Sequence, residues 1–331
     1  MACRPTCTSS LITPRETALI IAYRPVQHQG RAVLEGVVQE LDIGTGRVLF
    51  EWPNLQHVPT AESLAPPPGD PAQPYDYIHL NSVALDADNT LLVSARNTQA
   101  VYKIARDTGE VVWRLGGNNS DFTMGPGAPF VMQHDARPLP GGTLSIFDNG
   151  VPQPSGAGSR AIVLRLDEAA HTSEVVREHT SPNALLAANQ GNAQFLPSGH
   201  AFVSWGNQAW ITEFSRAGNV LFNAAYGPGL DTYRAFRFEW DATPPEAPVT
   251  AVRQRPDGGM TVYASWNGAT RVARWRVLTG PSHDRLAVAR EADRTGFETA
   301  VAVSRQPYAA VHALDGHGAV LGSSVVARAG D

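Results

Sequence analysis

The chain has 331 residues, 43% of them hydrophobic and 17% charged, which is enough apolar content for a packed core and argues against a disordered chain. A formal charge of −5 and a pI near 6.1 provide no basic field for nucleic acid or an anionic membrane, so a small molecule is the expected partner. With 30 glycines and 25 prolines, short strands and tight turns are favoured over long helices.

The N-terminal "MACRPTCTSS" holds the two cysteines, Cys3 and Cys7, and has no apolar run long enough for a signal peptide or a membrane span. A C-x3-C spacing without companion Cys or His residues does not make a metal site. Residues 1–9, with Pro5 and no strand-like alternation, are expected to be a disordered end, leaving the first sheet a strand short or completed by a late strand. Beyond them a hairpin recurs at 37–52, 100–115, 210–225 and 309–324, with degenerate copies at 161–176 and 270–280. A second hairpin precedes the copies, with turns at Asn89, Gly142, Gly199, Gly259 and, more loosely, Gln306, spaced 47–60 residues apart. Four short strands per unit is the blade pattern of a β-propeller. The expectation is an all-β, six-bladed propeller with an incomplete first blade, in one domain over 10–331.

Inner strands of blades begin at the mouth of the central channel, so residues at their ends converge on one pocket. His79 and Asn81 in "DYIHLNSVALD", Arg96 and Asn97 in "LLVSARNTQAV", Gln133 and His134 in "VMQHDAR", and Asp148 and Asn149 in "SIFDNG" occupy such ends. Asp148-Asn149-Gly150 is also a natural turn sequence. The remaining histidines, His28, His57, His171, His179, His200, His283, His312 and His317, read as surface or packing groups. A metal on His79, His134 and Asp135 is disfavoured by the adjacent Arg96, whereas two imidazoles, a guanidinium and an amide suit a compact oxyanion. Cofactor and nucleophile motifs such as a phosphate loop, H-E-x-x-H or G-x-S-x-G are absent, and no cofactor is expected.

The stretch "YIHLNSVALDADNTLLVSARNTQAVYKI...TGEVVWRLGG" followed by "QHDARPLPGGTLSIFDNG" resembles the arylsulfate sulfotransferases, nucleotide-independent enzymes built on a β-propeller. The resemblance extends from Ser10 to the C-terminus through "VVQELDIGTGRVLFEW", "SRAIVLRLD", "NAQFLPSGHAFVSWG" and "YRAFRFEW". It implies that His134, in the Q-H element, takes the sulfuryl group of an aryl sulfate as sulfohistidine and passes it to a phenol. His79 and Asn81 of H-x-N-S and Arg96 of S-x-R would surround the transferred group, with Asn97, Gln133, Asp148 and Asn149 as substrate-binding neighbours. The family has a further active-site histidine upstream, usually with more β-structure and an export signal, where this chain has "MACRPTCTSS". Two other readings stay open: a propeller that binds an anionic or aromatic ligand without turnover, and an aryl sulfate hydrolase.

Overall fold

The computed structural model describes residues 4–151, 158–227 and 229–329, with side chains from Ser9 onward. Two compact units, Met1–Arg237 and Phe238–Asp331, take up the stretch that the repeats assign to one domain.

The first unit contains four antiparallel up-and-down sheets in chain order. Sheet 1 is β1 (Arg4–Ile12), β2 (Thr17–His28), β3 (Arg31–Asp42) and β4 (Val48–Pro53). Sheet 2 is β5 (Leu80–Leu85), β6 (Leu91–Ala95), β7 (Ala100–Ile104) and β8 (Val111–Gly116). In sheet 3, β9 (Thr123–Met124) adds a parallel edge to the run β10 (His134–Leu139), β11 (Thr143–Asp148), β12 (Arg160–Asp167) and β13 (Thr172–Thr180). Sheet 4 is β14 (Asn192–Phe195), β15 (Ala201–Ser204), β16 (Trp210–Phe214) and β17 (Val220–Ala225). The expectation of a short first sheet does not hold: Arg4 and Pro5 pair with Tyr23 and Ala22, completing four strands. A register shift between Pro5 and Ser10 accounts for the missing alternation, because a bulge breaks the period of two. Met1–Cys3 lie outside the described residues.

Sheets 2 and 3 are covered on both faces, which explains the near-continuous apolar runs of their inner strands. From β6, Leu91 and Val93 pack with Leu19, Ile21 and Trp52 of sheet 1, while Leu92 between them packs with Leu144 and Ile162 of sheet 3. On sheet 3, Phe147 and Ala161 turn instead to Val203 and Trp205 of sheet 4. Burying each such side chain contributes about 1.5–3 kcal/mol. The first strands β1, β5, β10 and β14 of successive sheets abut, and that brings the entries of β5 and β10 together.

The second unit departs from the repeat. Its strands are β18 (Val249–Gln254), β19 (Gly259–Ser265), β20 (Arg274–Ser282), β21 (Arg285–Asp293), β22 (Glu298–Ser304), β23 (Tyr308–Leu314), β24 (Val320–Ser323) and β25 (Ala327–Arg328). The hairpin expected across Gln306 does not form, since β22 pairs with β19 and β23 pairs with β20. A long β20–β21 hairpin stands between β19 and β22 in sequence, and both sheets share one core around Val262, Trp275, Val301 and Val311.

The link from β13 to β14 is sterically tight. Gly191 has φ +98, and a Cβ there would stand 2.3 Å from the ring of Phe147, which is fully buried and has nowhere to go. Gly191→Ala is expected to cost about 2–4 kcal/mol in urea unfolding, as backbone strain and overpacking add. Gly141→Ala, at φ +78 in open space, should show only the backbone part, about 1–2 kcal/mol. Equal losses in the two variants would show that contact with Phe147 does not matter.

Candidate active site

The entries of β5 and β10 share an irregularity. Pairing shifts register between Leu80 and Ser82 on β5 and between His134 and Arg137 on β10, and such bulges re-aim side chains. Four non-glycine residues near these entries adopt positive φ: His79 (+50), Met132 (+54), Asp135 (+54) and Gln190 (+63). Each costs on the order of 1–3 kcal/mol and persists only where the surroundings over-determine it.

His134 is 2% exposed. Its Nδ1 faces two acceptors, Asn149 Oδ1 at 2.7 Å and the Met132 carbonyl at 3.1 Å, so Nδ1 carries the proton. Nε2 therefore carries the lone pair, and it accepts the Gln190 N–H at 3.2 Å. The Asn149 amide is oriented in turn, as its Nδ2 donates to the Ala187 and Gln190 carbonyls at 2.9 and 3.0 Å. Burial pushes the His134 pKa down to about 4, and the positive charges of His79 and Arg96 push the same way, against the Asn149 and Met132 acceptors.

Arg96 reaches the same neighbourhood from the end of β6. It donates to Asn97 Oδ1 at 3.0 Å, and to Met132 Sδ and the Ala188 carbonyl at 3.4 Å. Among the described residues no carboxylate lies within ion-pair distance of it, and its Nε is buried without a partner. Burial lowers its pKa, with the nearby Asp76 opposing. His79 is partly exposed and directs Nδ1 at Asp76 Oδ2, 2.5 Å away, while Asp76 Oδ1 accepts the His79 backbone N–H at 3.0 Å. This pairing leaves His79 Nε2 available to exchange a proton.

The other candidates divide. Asn81 is fully buried: its Nδ2 donates to the Gln133 carbonyl at 2.6 Å, and its Oδ1 has no partner. Asn97 braces the entry, its Nδ2 on the Asp76 carbonyl at 2.6 Å. Gln133 Nε2 is committed to Ser94 Oγ, Ala95 O and Ala100 O at 3.0–3.2 Å, tying β10 to sheet 2. Asp148 accepts from the Val131 and Gly150 amides at 3.0 Å and from Arg160 Nε at 2.8 Å. The carboxylate of Asp148 thus closes a turn, whereas Asn149 orients the imidazole.

Residues not singled out in the sequence complete the surroundings. Asp76 could have been found, as an Asp three residues before His79 in "DYIH" is a turn signal. Gln190 acts through its backbone, which leaves no such signal. Tyr233 stands edge-on to His134, with ring centroids 6.3 Å apart and its hydroxyl buried without a partner. Arg234 donates to the Asn81 carbonyl at 2.8 Å and lies 3.2 Å from Asp135 Oδ1, an ion pair by distance without hydrogen-bond alignment. The segment bearing them docks on β14 through side-chain amides: Asn192 exchanges hydrogen bonds of 2.8 and 2.9 Å with the backbone of Ala235, and Gln194 bonds of 2.7 and 3.0 Å with that of Arg237. Among the described residues no cluster of three or more His, Cys, Asp or Glu could hold a metal, and no helix is long and apolar enough to cross a membrane.

The family model for Arylsulfotransferase (ASST) matches residues 8–227, which includes both bulged strand entries. No curated protein matches the chain. Solved structures similar to it include a putative 6-phosphogluconolactonase from Bacteroides uniformis, at 13% identity and TM-score 0.40, covering 99% of this chain and 87% of that one. Another is the calcium-binding protein regucalcin from Agrobacterium tumefaciens, at 12% identity and TM-score 0.37, covering 94% and 85%.

A histidine held neutral in the fold stabilises it fully above its unfolded pKa near 6.5 and loses that stabilisation as pH falls toward the folded value. With His134 pushed down to about 4, the loss runs between pH 6.5 and 4 and amounts to about 3 kcal/mol. His179, buried and stacked on Phe214, is also pushed down to about 4 by burial and acts over the same window. His134→Asn should flatten the slope of unfolding free energy against pH only in part, and His134→Asn with His179→Phe should remove most of it. In heteronuclear NMR at pH 6, His134 should appear as the neutral Nδ1–H tautomer; an imidazolium signal would contradict this.

Proposed function

We propose that this chain, which belongs to the arylsulfotransferase (ASST) family, moves a sulfuryl group from an aryl sulfate to a phenolic acceptor through His134. We read the four sheets of its first unit as consecutive propeller blades, with β1, β5, β10 and β14 innermost and the strand entries lining the mouth of a channel. The observation that carries the reading is the buried, neutral His134, its proton fixed on Nδ1 by Asn149, beside an Arg96 without a carboxylate partner.

In the first half-reaction the Nε2 lone pair forms a bond to sulfur while the ester S–O bond breaks, and the electron pair leaves with the phenol oxygen. The ring retains its Nδ1 proton and becomes an N-sulfoimidazolium, whose positive charge faces the Asn149 and Met132 acceptors. His79, paired with Asp76, is placed to protonate the departing phenolate. In the second half-reaction an acceptor phenol gives its proton to His79 as its oxygen attacks sulfur, and the N–S bond breaks to restore His134. Arg96 supplies the charge that favours the sulfuryl oxygens in both directions, while Asn81, its Nδ2 donating to the Gln133 carbonyl, braces the approach of the two strand entries. Two displacements spare the site from holding donor and acceptor at once.

The Gln190 N–H occupies the lone pair that must attack, so this contact has to part before sulfur approaches, at a cost of about 1 kcal/mol. Once free, the same N–H faces the sulfuryl oxygens. That occupied lone pair is also what favours the second reading, a pocket that binds an anionic or aromatic ligand without turnover. An aryl sulfate hydrolase would use the same first step with water as acceptor, and product analysis with and without a phenol separates the two.

An aryl sulfate supplied without acceptor should leave a sulfuryl group on His134 and release up to one equivalent of phenol in a burst. His134→Asn should abolish the burst, and Arg96→Ala should slow both half-reactions about 100-fold, as for loss of one charge-stabilising donor. His79→Ala should spare donors with acidic phenol leaving groups in the first step and impair those with poor ones. A burst that survives His134→Asn would return the pocket to ligand binding.

A further inference from the structure

Tyr233 also lines a cavity of about 580 Å³, within the range that takes a small organic ligand. None of His79, Arg96 and His134 lines it. Its charged groups gather at Asp135, which is 1% exposed: Arg137 Nε donates to Asp135 Oδ1 at 2.8 Å, and Arg234 Nε lies 3.2 Å from the same oxygen. Two guanidiniums thus share one carboxylate, which leaves one positive charge uncompensated within the cluster. Burial lowers the pKa of Arg234, consistent with a cation short of solvation. The remaining walls mix three serines and Gln194 with apolar and aromatic side chains, among them Leu11, Leu139, Phe195 and Tyr233, and the Tyr233 hydroxyl is buried without a partner.

We infer that this cavity is a binding site for an aromatic anion, an arene carboxylate or sulfonate. The anionic group is placed toward Arg137 and Arg234, whose forked donors suit planar or tripodal oxyanions, and the ring lies against Phe195, Leu139 and Tyr233. The inference stands apart from sulfuryl transfer, because none of the residues placed in that reaction lines the cavity.

The probe is 1-naphthalenesulfonate, whose C–S bond His134 does not exchange, followed by calorimetry on the full chain. One equivalent should bind at least about tenfold more tightly than neutral 1-naphthol, the difference a charge-assisted hydrogen bond provides. Leu139→Trp, which fills the cavity from a half-buried strand position, should abolish binding, and Arg137→Gln should weaken it about tenfold. Arg96→Ala and His134→Asn should leave it unchanged, with circular dichroism verifying the fold of each variant. Binding that is lost in Arg96→Ala and retained in Leu139→Trp would place the sulfonate in the catalytic pocket and overturn the inference. Equal affinity for naphthol, or no binding to the wild-type chain, would overturn it as well. A failed phenol burst with intact sulfonate binding would count against sulfuryl transfer alone.

Discussion

The site depends on one amide. Asn149 follows the last residue of β11 and presents its oxygen to His134 and its nitrogen to two carbonyls of the turn that leads into β14. Its own carbonyl accepts the Ser159 hydroxyl at 2.6 Å, and that hydroxyl accepts the Ala187 N–H at 2.7 Å. A single side chain therefore fixes the imidazole tautomer, the position of the Gln190 N–H and the junction of sheets 3 and 4. Because Asn149 is fully buried, water cannot replace a lost bond in this set, and each bond helps hold the others in place.

Electrostatics follows from that frame. A histidine kept neutral by burial sits beside an arginine that, among the described residues, pairs with no carboxylate, a setting that disfavours a cation. The carboxylates nearby are already engaged: Asp76 by His79, Asp148 by Arg160, and Asp135 by Arg137. The strained backbones of His79, Met132, Asp135 and Gln190 lie around this pocket, where the hydrogen bonds of neighbouring strands hold them in place.

Much of the all-β architecture was legible because hairpin turns have local chemistry. Asn89, Gly142, Gly199 and Gly259 fall at or beside the turns of β5–β6, β10–β11, β14–β15 and β18–β19. Gln306 failed although Pro307 follows it, because the pairing of β22 and β23 is decided by shared burial with β19 and β20 rather than by the link between them. The first strand was missed since a bulge erases alternation. In the site, strand-end residues could be named from repetition, but Gln190, Tyr233 and Arg234 lie in non-repeating connections. Gln190 contributes a backbone N–H, which any residue but proline carries.

The docking of residues 235 and 237 on β14 through Asn192 and Gln194 has an evolutionary reach. The two amides grip main chain and do not read the side chains of the segment they hold. Alanine at 235 is therefore free to drift, whereas Arg237 is also held by its ion pair with the buried Glu213, and Tyr233 and Arg234 stay in register with His134 and Asn81. A lineage can thus rewrite the outer part of this segment, and with it what meets the cavity, without re-solving how the segment is held.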